Sequence, residues 1–131
     1  MPTLTINRVS PIDPIRIPLA LINRANGQVA WEDGLFDTGN DHTVISRALF
    51  TTLGLAATGG SVIVNGVTGS SQAAIATVSI QIRFDDGQPV TIQAHEVGVV
   101  AGASDAVLIG RDFLKRFDVT ISRGGVFTLT L

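Results

Sequence analysis

The sequence predicts an all-β domain, and three observations support this. Fourteen glycines in 131 residues supply turn positions, β-branched residues are frequent, and apolar and polar residues alternate in short runs. Residues 78–84 give the clearest run, in which Val, Ile, Ile and Phe alternate with Ser, Gln and Arg, as on a strand with one buried face. The length suits one domain over residues 1–131, and no linker or low-complexity tract divides it.

The elements expected in the first part of the chain surround a hairpin turn. Residues 3–6 alternate as a terminal strand, whereas three prolines make residues 10–18 an extended edge or connector. Strands are predicted at residues 19–23 and 29–31, joined across Asn26-Gly27, a pair that favours a tight turn. Ser46 is predicted to cap a short helix over residues 47–53, and Gly54 to end it.

The second part of the chain predicts more strands and a second short helix at residues 111–117. The strands are expected at residues 61–65, 73–84, 90–94, 97–100, 107–109, 119–122 and 126–131, with Gly124-Gly125 turning the last pair into a hairpin. Because residues 126–131 alternate to the last position, we expect an edge strand that can pair with a second chain.

The composition excludes several classes of function. A net charge of −2 without a Lys/Arg cluster gives no electrostatic reason to expect nucleic acid as a partner. The absence of cysteine excludes thiol catalysis, and His42 and His95 are too isolated in sequence to predict a metal site. No apolar run approaches transmembrane length and the N-terminus lacks a signal-peptide pattern, so we expect no membrane association and a cytoplasmic location.

The candidate catalytic residue is Asp37, in the run Leu35-Phe36-Asp37-Thr38-Gly39. The glycine permits a sharp turn at a strand end, where an anchored carboxylate can point outwards as an acid or base. An ordinary turn residue that bonds its own backbone is the structural alternative. A later run, Val107-Leu108-Ile109-Gly110-Arg111-Asp112, repeats the two apolar residues that lead into the first motif.

Together, residues 34–45 and 107–114 resemble the two signature segments of the retropepsin-like aspartic proteases, in that family's order. The resemblance covers roughly residues 18 to 131. It implies a closed β-barrel or sandwich with an Asp-Thr-Gly loop, a glycine-rich flap hairpin and one or two short helices. It also implies a peptidase that acts on extended peptide or protein substrates and needs no cofactor, because water is the nucleophile.

The single Asp-Thr-Gly implies that one chain supplies half a site. Pepsin-like chemistry needs two adjacent carboxylates that share one proton, so the resemblance implies a homodimer. Thr38 would then lock the two loops across the dimer axis, and Gly39 would serve the backbone turn. Asn40 stands where the family usually carries Ala, Ser or Thr, and its amide can donate a hydrogen bond to the ionised carboxylate and lower its pKa.

The resemblance assigns further residues to substrate binding or support. Asp41 would touch the substrate backbone and pair with Arg111, while Gly110 and Asp112 would support the site from the second helix. Where that pair is partly buried, the loss of one charge is expected to cost roughly 3–5 kcal/mol. His42 would line a substrate subsite, or be an exposed loop histidine.

Gly66, Val67, Thr68 and Gly69 would form the flap over the substrate, for which a plain hairpin loop is the alternative. Two non-enzymatic hypotheses remain open. One is a catalytically silent dimerisation or peptide-binding module with the same fold. The other is an adaptor whose strand edge binds a partner by β-augmentation. The intact Asp-Thr-Gly favours the enzyme, because a binding module has no need of Asp37.

Overall fold

The computed structural model describes residues 2–10, 12–66, 69–102 and 105–131. In these ranges it has ten strands and two short helices, in this order: β1 (Thr3–Asn7), β2 (Arg16–Asn23), β3 (Gln28–Phe36), β4 (Val44–Ser46), α1 (Arg47–Thr52), β5 (Ser61–Gly66), β6 (Gly69–Arg83), β7 (Pro89–Val100), β8 (Val107–Ile109), α2 (Arg111–Leu114), β9 (Asp118–Ile121) and β10 (Val126–Thr130).

Six of these strands close a barrel. Their order is β2-β3-β8-β4-β7-β6, and β6 pairs again with β2, with Leu21 opposite Ile80, to complete the circle. Strand β5 extends from the barrel as the second arm of a hairpin with β6. Closure leaves no free edge between these six strands. The prediction of an all-β closed barrel with one or two short helices is confirmed.

The core lies inside the barrel and under the two helices. Its largest buried side chains come from alternate positions of β2, β6 and β10, together with Ile45, Ile109 and Phe113. The Phe113 side chain of α2 is buried, and the ring of Phe117, just after the helix, lies 6.3 Å from the ring of Phe84, which directly follows β6. Helix α2 is therefore fixed against the barrel by aromatic burial, and this contact determines where the preceding Gly110-Arg111-Asp112 segment lies.

The two helices follow the predicted local signals with shorter bounds. The Ser46 hydroxyl accepts a hydrogen bond from the Leu49 N–H at 3.1 Å, and Gly54 adopts a left-handed φ of 65° past the end of α1. Helix α2 ends at Leu114 rather than at Phe117. After Leu114 the backbone bonds of Arg116 and Phe117 reach back three residues, so the chain tightens into turns.

Two of the predicted strands are one strand in the structure. Residues 90–94 and 97–100 belong to β7, which contains a bulge opposite β6 between Val78 and Ile80. Ala94 takes up the irregularity with a φ of 54°, in the region that a side-chain-bearing residue seldom adopts. The bulge accommodates an extra residue without ending the strand. The three-residue strand β4 was not expected, and it lies between β8 and β7.

The prediction that residues 126–131 form an edge strand is wrong. Strand β10 lies between β1 and β9 in a three-stranded sheet, and its two neighbours both belong to the same chain. The side chains of Phe127 and Leu129 are 0% exposed and belong to the core. The alternation marked a strand with one core-facing side, which a central strand shows as well as an edge strand. In the described sheet, β9 is an edge, and Ile121 on it is 51% exposed.

Candidate active site

The Asp37 loop begins where β3 ends against β8. These two strands are parallel, with Phe36 opposite Ile109, and the Asp37 N–H donates to the Ile109 carbonyl at 3.0 Å. The Asp37 Oδ1 atom accepts a hydrogen bond from the Gly39 N–H at 3.0 Å, and the Asn40 N–H donates to the Asp37 carbonyl at 3.3 Å. The carboxylate is half-buried and oriented by its own turn. Among the described residues it accepts no other hydrogen bond.

Gly110 lies directly against this loop. A Cβ atom at this position would stand 2.5 Å from the His42 carbonyl carbon and 2.9 Å from the Asn40 carbonyl oxygen. The backbone φ of Gly110 is −92°, which any residue can adopt, so close approach is the reason for glycine. Beyond it, the Arg111 N–H donates to the Asn40 carbonyl at 2.9 Å, and the start of α2 is thereby joined to the loop.

Asp112 holds the far end of the loop. Its Oδ1 atom accepts hydrogen bonds from both the N–H and the hydroxyl of Thr43, each at 2.8 Å. The Thr43 hydroxyl in turn accepts from the Gly110 N–H at 3.1 Å. The Asp112 Oδ2 atom lies 2.9 Å from His95 Nε2 on β7. One carboxylate therefore links three segments that are far apart in sequence.

The environment of Asp112 keeps it ionised. Burial acts to raise the pKa of its carboxyl, but the hydrogen bonds from His95 and Thr43 outweigh burial and hold the pKa below its ordinary value of 3.8. Sequence reasoning gave Asp112 a supporting role but gave none to Thr43 or His95. The only sequence feature that pointed to Thr43 was its place within residues 34–45, the first of the two signature segments. No sequence feature pointed to His95, because its contact with Asp112 depends on the bulge in β7.

The Asp41 and Arg111 side chains form an ion pair that joins the loop to α2. Both are exposed, at 59% and 58% respectively, so solvent and salt screen their attraction. The sequence analysis considered a partly buried Asp41–Arg111 pair, and the structure shows an exposed one instead. Exposed pairs of this kind contribute about 0–1 kcal/mol to the free energy of unfolding.

The remaining predicted site residues differ in their surroundings. Thr38 and Gly39 are exposed at the tip of the loop, while Asn40 is buried. Among the described residues the side-chain amide of Asn40 makes no hydrogen bond to the Asp37 carboxylate; the backbone carbonyl of Asn40 accepts one from the Arg111 N–H of α2. His42 is half-buried and lines a cavity of about 280 Å³ between the loop, β5, β7 and the end of α2.

The predicted flap corresponds to the β5–β6 hairpin. The two strands remain paired as far as Gly66 and Gly69, where Gly69 has a φ of 126°. Val67 and Thr68 lie outside the described residues, so the tip of the hairpin stays a prediction.

No group of three or more His, Cys, Asp or Glu side chains in the described ranges is arranged to hold a metal ion. Both described helices are too short to cross a membrane.

Comparisons with known proteins agree on the fold. No curated protein sequence matches this chain. A crystal structure of a retropepsin-like aspartic protease from Rickettsia conorii superposes with a TM-score of 0.66 at 20% identity, covering 97% of this chain and 89% of the other. The retroviral protease-like domain of Ddi1 from Leishmania major superposes with a TM-score of 0.52 at 14% identity, covering 88% of this chain and 84% of that domain.

The family comparison is more specific than the fold. The model described as "gag-polyprotein putative aspartyl protease" matches residues 22–116. This range contains the Asp37 loop, the β5–β6 hairpin and the Gly110 segment, and it is most of the chain. The chain therefore belongs to the gag-polyprotein aspartyl protease family and has the retropepsin-like fold.

Proposed function

We propose that this chain is an aspartic endopeptidase that hydrolyses extended polypeptides as a homodimer. The observation that carries the proposal is the Asp37 carboxylate, oriented by the Gly39 N–H at the end of a barrel strand and still partly open to solvent. A catalytic carboxylate needs both properties, because it must be fixed and must also reach a water molecule. Membership of an aspartyl protease family supports the same reaction class.

The homodimer follows from the number of suitable carboxylates. A water molecule is activated when one carboxylate takes its proton and a second, protonated carboxyl donates a hydrogen bond to the scissile carbonyl. Near the Asp37 loop, Asp41 is paired with Arg111, and Asp112 is engaged by Thr43 and His95. Neither is available as the second carboxyl, so Asp37 of a second copy is the candidate.

The proposed reaction uses the chain's own groups and water. One Asp37 removes a proton as the water oxygen attacks the peptide carbonyl, and the other Asp37 hydrogen-bonds the developing oxyanion. The tetrahedral intermediate then breaks its C–N bond as the leaving nitrogen receives a proton from the dyad. Thr38, exposed beside the carboxylate, is proposed to bond across the twofold axis. The β5–β6 hairpin is proposed to cover the substrate as a flap.

The surface that joins the two copies is proposed to include the β9 edge. This edge has open backbone groups in the described sheet, and Ile121 contributes an exposed apolar side chain to it. The strand predicted from the sequence to pair with a second chain, over residues 126–131, is excluded from this role because β10 already lies between β1 and β9.

The test compares two aspartates that make the same local contact. Asp86 Oδ1 accepts from the backbone N–H two residues later at 2.9 Å, as Asp37 Oδ1 does at 3.0 Å. Asp37→Asn is expected to abolish cleavage of an unfolded protein substrate at acid to neutral pH without loss of the fold. Asp86→Asn is expected to keep wild-type turnover. If the Asp37→Asn protein cleaves at the wild-type rate, the proposal fails. If the wild-type protein binds peptide without cleaving it, the chain is a peptide-binding module.

A further inference from the structure

The β7 bulge turns a histidine towards the barrel. Across β6 and β7, His95 pairs with Val78 and Ile92 pairs with Ile80, so the strand carries one extra residue between these positions. Ala94 absorbs it with a φ of 54°. His95 is then 6% exposed, with its ring edge-on to the Phe113 ring at 5.9 Å. A buried imidazole held in this way has little rotational freedom.

The imidazole has one defined partner, the Asp112 carboxylate. An ionised carboxylate only accepts hydrogen bonds, so His95 Nε2 carries the proton and donates to Asp112 Oδ2. The other carboxylate oxygen, Oδ1, accepts both Thr43 donors. Rotation of the carboxylate away from His95 would therefore also break its contact with Thr43.

Thr43 is the residue at which the Asp37 loop rejoins the barrel. Its carbonyl accepts a hydrogen bond from the Gly98 N–H at 2.9 Å. Strand β7 therefore contacts Thr43 directly through Gly98, in addition to the indirect link through His95 and Asp112. The loop is fixed at its start by the Asp37 N–H bond to Ile109 and at its end by Thr43. The position of Asp37 depends on both attachments.

We infer that His95 is a positioning residue for the Asp37 loop, acting through Asp112 and Thr43. The inference rests on the proposed function, because the loop geometry that it maintains is that of the proposed catalytic carboxylate. His95 itself touches neither Asp37 nor, in this account, the substrate.

Other charged or titratable side chains lie near the His95–Asp112 pair. They line the 280 Å³ cavity from the loop, from β7 and from the end of α2, and are His42, Glu96, Lys115 and Arg116. The Asp41–Arg111 ion pair lies on the neighbouring loop and helix. Loss of the His95 donor removes one of the contacts that keep the Asp112 pKa low, so the carboxyl would protonate at a higher pH.

The test uses two replacements of His95, one that retains a hydrogen-bond donor and one that removes it. His95→Gln can present an amide N–H at a reach similar to that of Nε2, whereas His95→Leu keeps bulk and removes the donor. Glu96→Gln is the matched control, since Glu96 adjoins His95 and lines the same cavity without contacting Asp112. We expect His95→Leu to lower kcat by about 10-fold or more with a smaller change in KM, because the loop moves while the substrate surface remains.

Two further readouts separate positioning from general stabilisation. In His95→Leu the stability that Asp112 loses in acid should be smaller, because its folded pKa rises towards the unfolded value of 3.8, and this contribution should be absent in Asp112→Asn. Amide hydrogen exchange at Thr43 should accelerate in His95→Leu and return towards the wild-type rate in His95→Gln. This exchange measurement does not depend on catalysis, so it tests the inference even if the wild-type protein fails to cleave peptides.

Defined results would overturn the inference. It fails if His95→Leu has wild-type kcat and wild-type Thr43 exchange. It also fails if His95→Gln loses as much kcat as His95→Leu while both fold, because the donated hydrogen bond would then have no special role. An equal loss of kcat in Glu96→Gln would assign the effect to the cavity instead of to His95.

Discussion

Gly110→Ala tests the contact between α2 and the Asp37 loop with the smallest possible change. The added Cβ would stand 2.5 Å from the His42 carbonyl carbon and 2.7 Å from its oxygen, whereas ordinary contact begins near 3.4 Å. Backbone atoms cannot rotate aside as a side chain can, so the loop or the helix must shift by about 1 Å. Overpacking of this kind costs about 1–3 kcal/mol of unfolding free energy.

The predicted effect on activity is larger than the effect on stability. A shift of about 1 Å in a catalytic group costs roughly 100-fold in rate, and about 2 kcal/mol lowers Tm by only about 4–10 °C in a domain of this size. Gly124→Ala is the matched control, because its nearest atom, Ser122 Oγ, is 3.8 Å from the added Cβ. Thermal unfolding and a peptide-cleavage assay should be run on both variants. If Gly110→Ala matches Gly124→Ala in both assays, the close contact between Gly110 and the Asp37 loop does not determine the position of the Asp37 carboxylate.

Three further predictions follow from the fold and from the charges. Arg111→Ala should lower the unfolding free energy by no more than about 1 kcal/mol, and added salt should reduce even that difference, because the pair with Asp41 is exposed; a loss of 3 kcal/mol in chemical denaturation would contradict this. Deletion of residues 127–131 should unfold the chain and abolish its near-ultraviolet circular dichroism. The deletion removes two fully buried side chains, Phe127 and Leu129, which each contribute about 2–5 kcal/mol to the free energy of unfolding. A truncated chain that remains a folded monomer would contradict the central position of β10. Because the pKa of Asp112 is lowered on folding, its stabilisation is present above its unfolded pKa of 3.8 and is lost as pH falls through the lower folded value. Urea titrations across this range should therefore show a smaller loss of stability in Asp112→Asn than in the wild type, and an equal loss would contradict the assignment.

Local signals in the sequence were sufficient for much of the site. The Asp-Thr-Gly turn, the cap at Ser46 and the glycine at position 110 each act within a few residues or at one close contact, and motif and turn chemistry report such features directly. The Asp41–Arg111 pair was also expected from the resemblance. Its exposure was not, because burial depends on what the rest of the chain places around the pair.

The features that the sequence could not predict depend on contacts between distant segments. Alternation in residues 126–131 shows that one face is buried, but not whether the strand has one neighbour or two. The β7 bulge inserts an extra residue without a glycine or proline to mark it, so the strand was divided into two. His95 reaches Asp112 only because of that bulge, and no spacing in the sequence relates the two.

The most direct test of the account is a mixing experiment on the proposed dyad. A fixed amount of wild-type protein is titrated with an excess of Asp37→Asn, and cleavage is measured beside sedimentation that reports mixed dimers. The account predicts that turnover falls as the Asn variant captures wild-type chains, since a mixed dimer has a single carboxylate, and that an equal excess of Asp86→Asn causes no such fall. Turnover that stays constant while mixed dimers form, or cleavage by a wild-type chain that remains strictly monomeric, would contradict it.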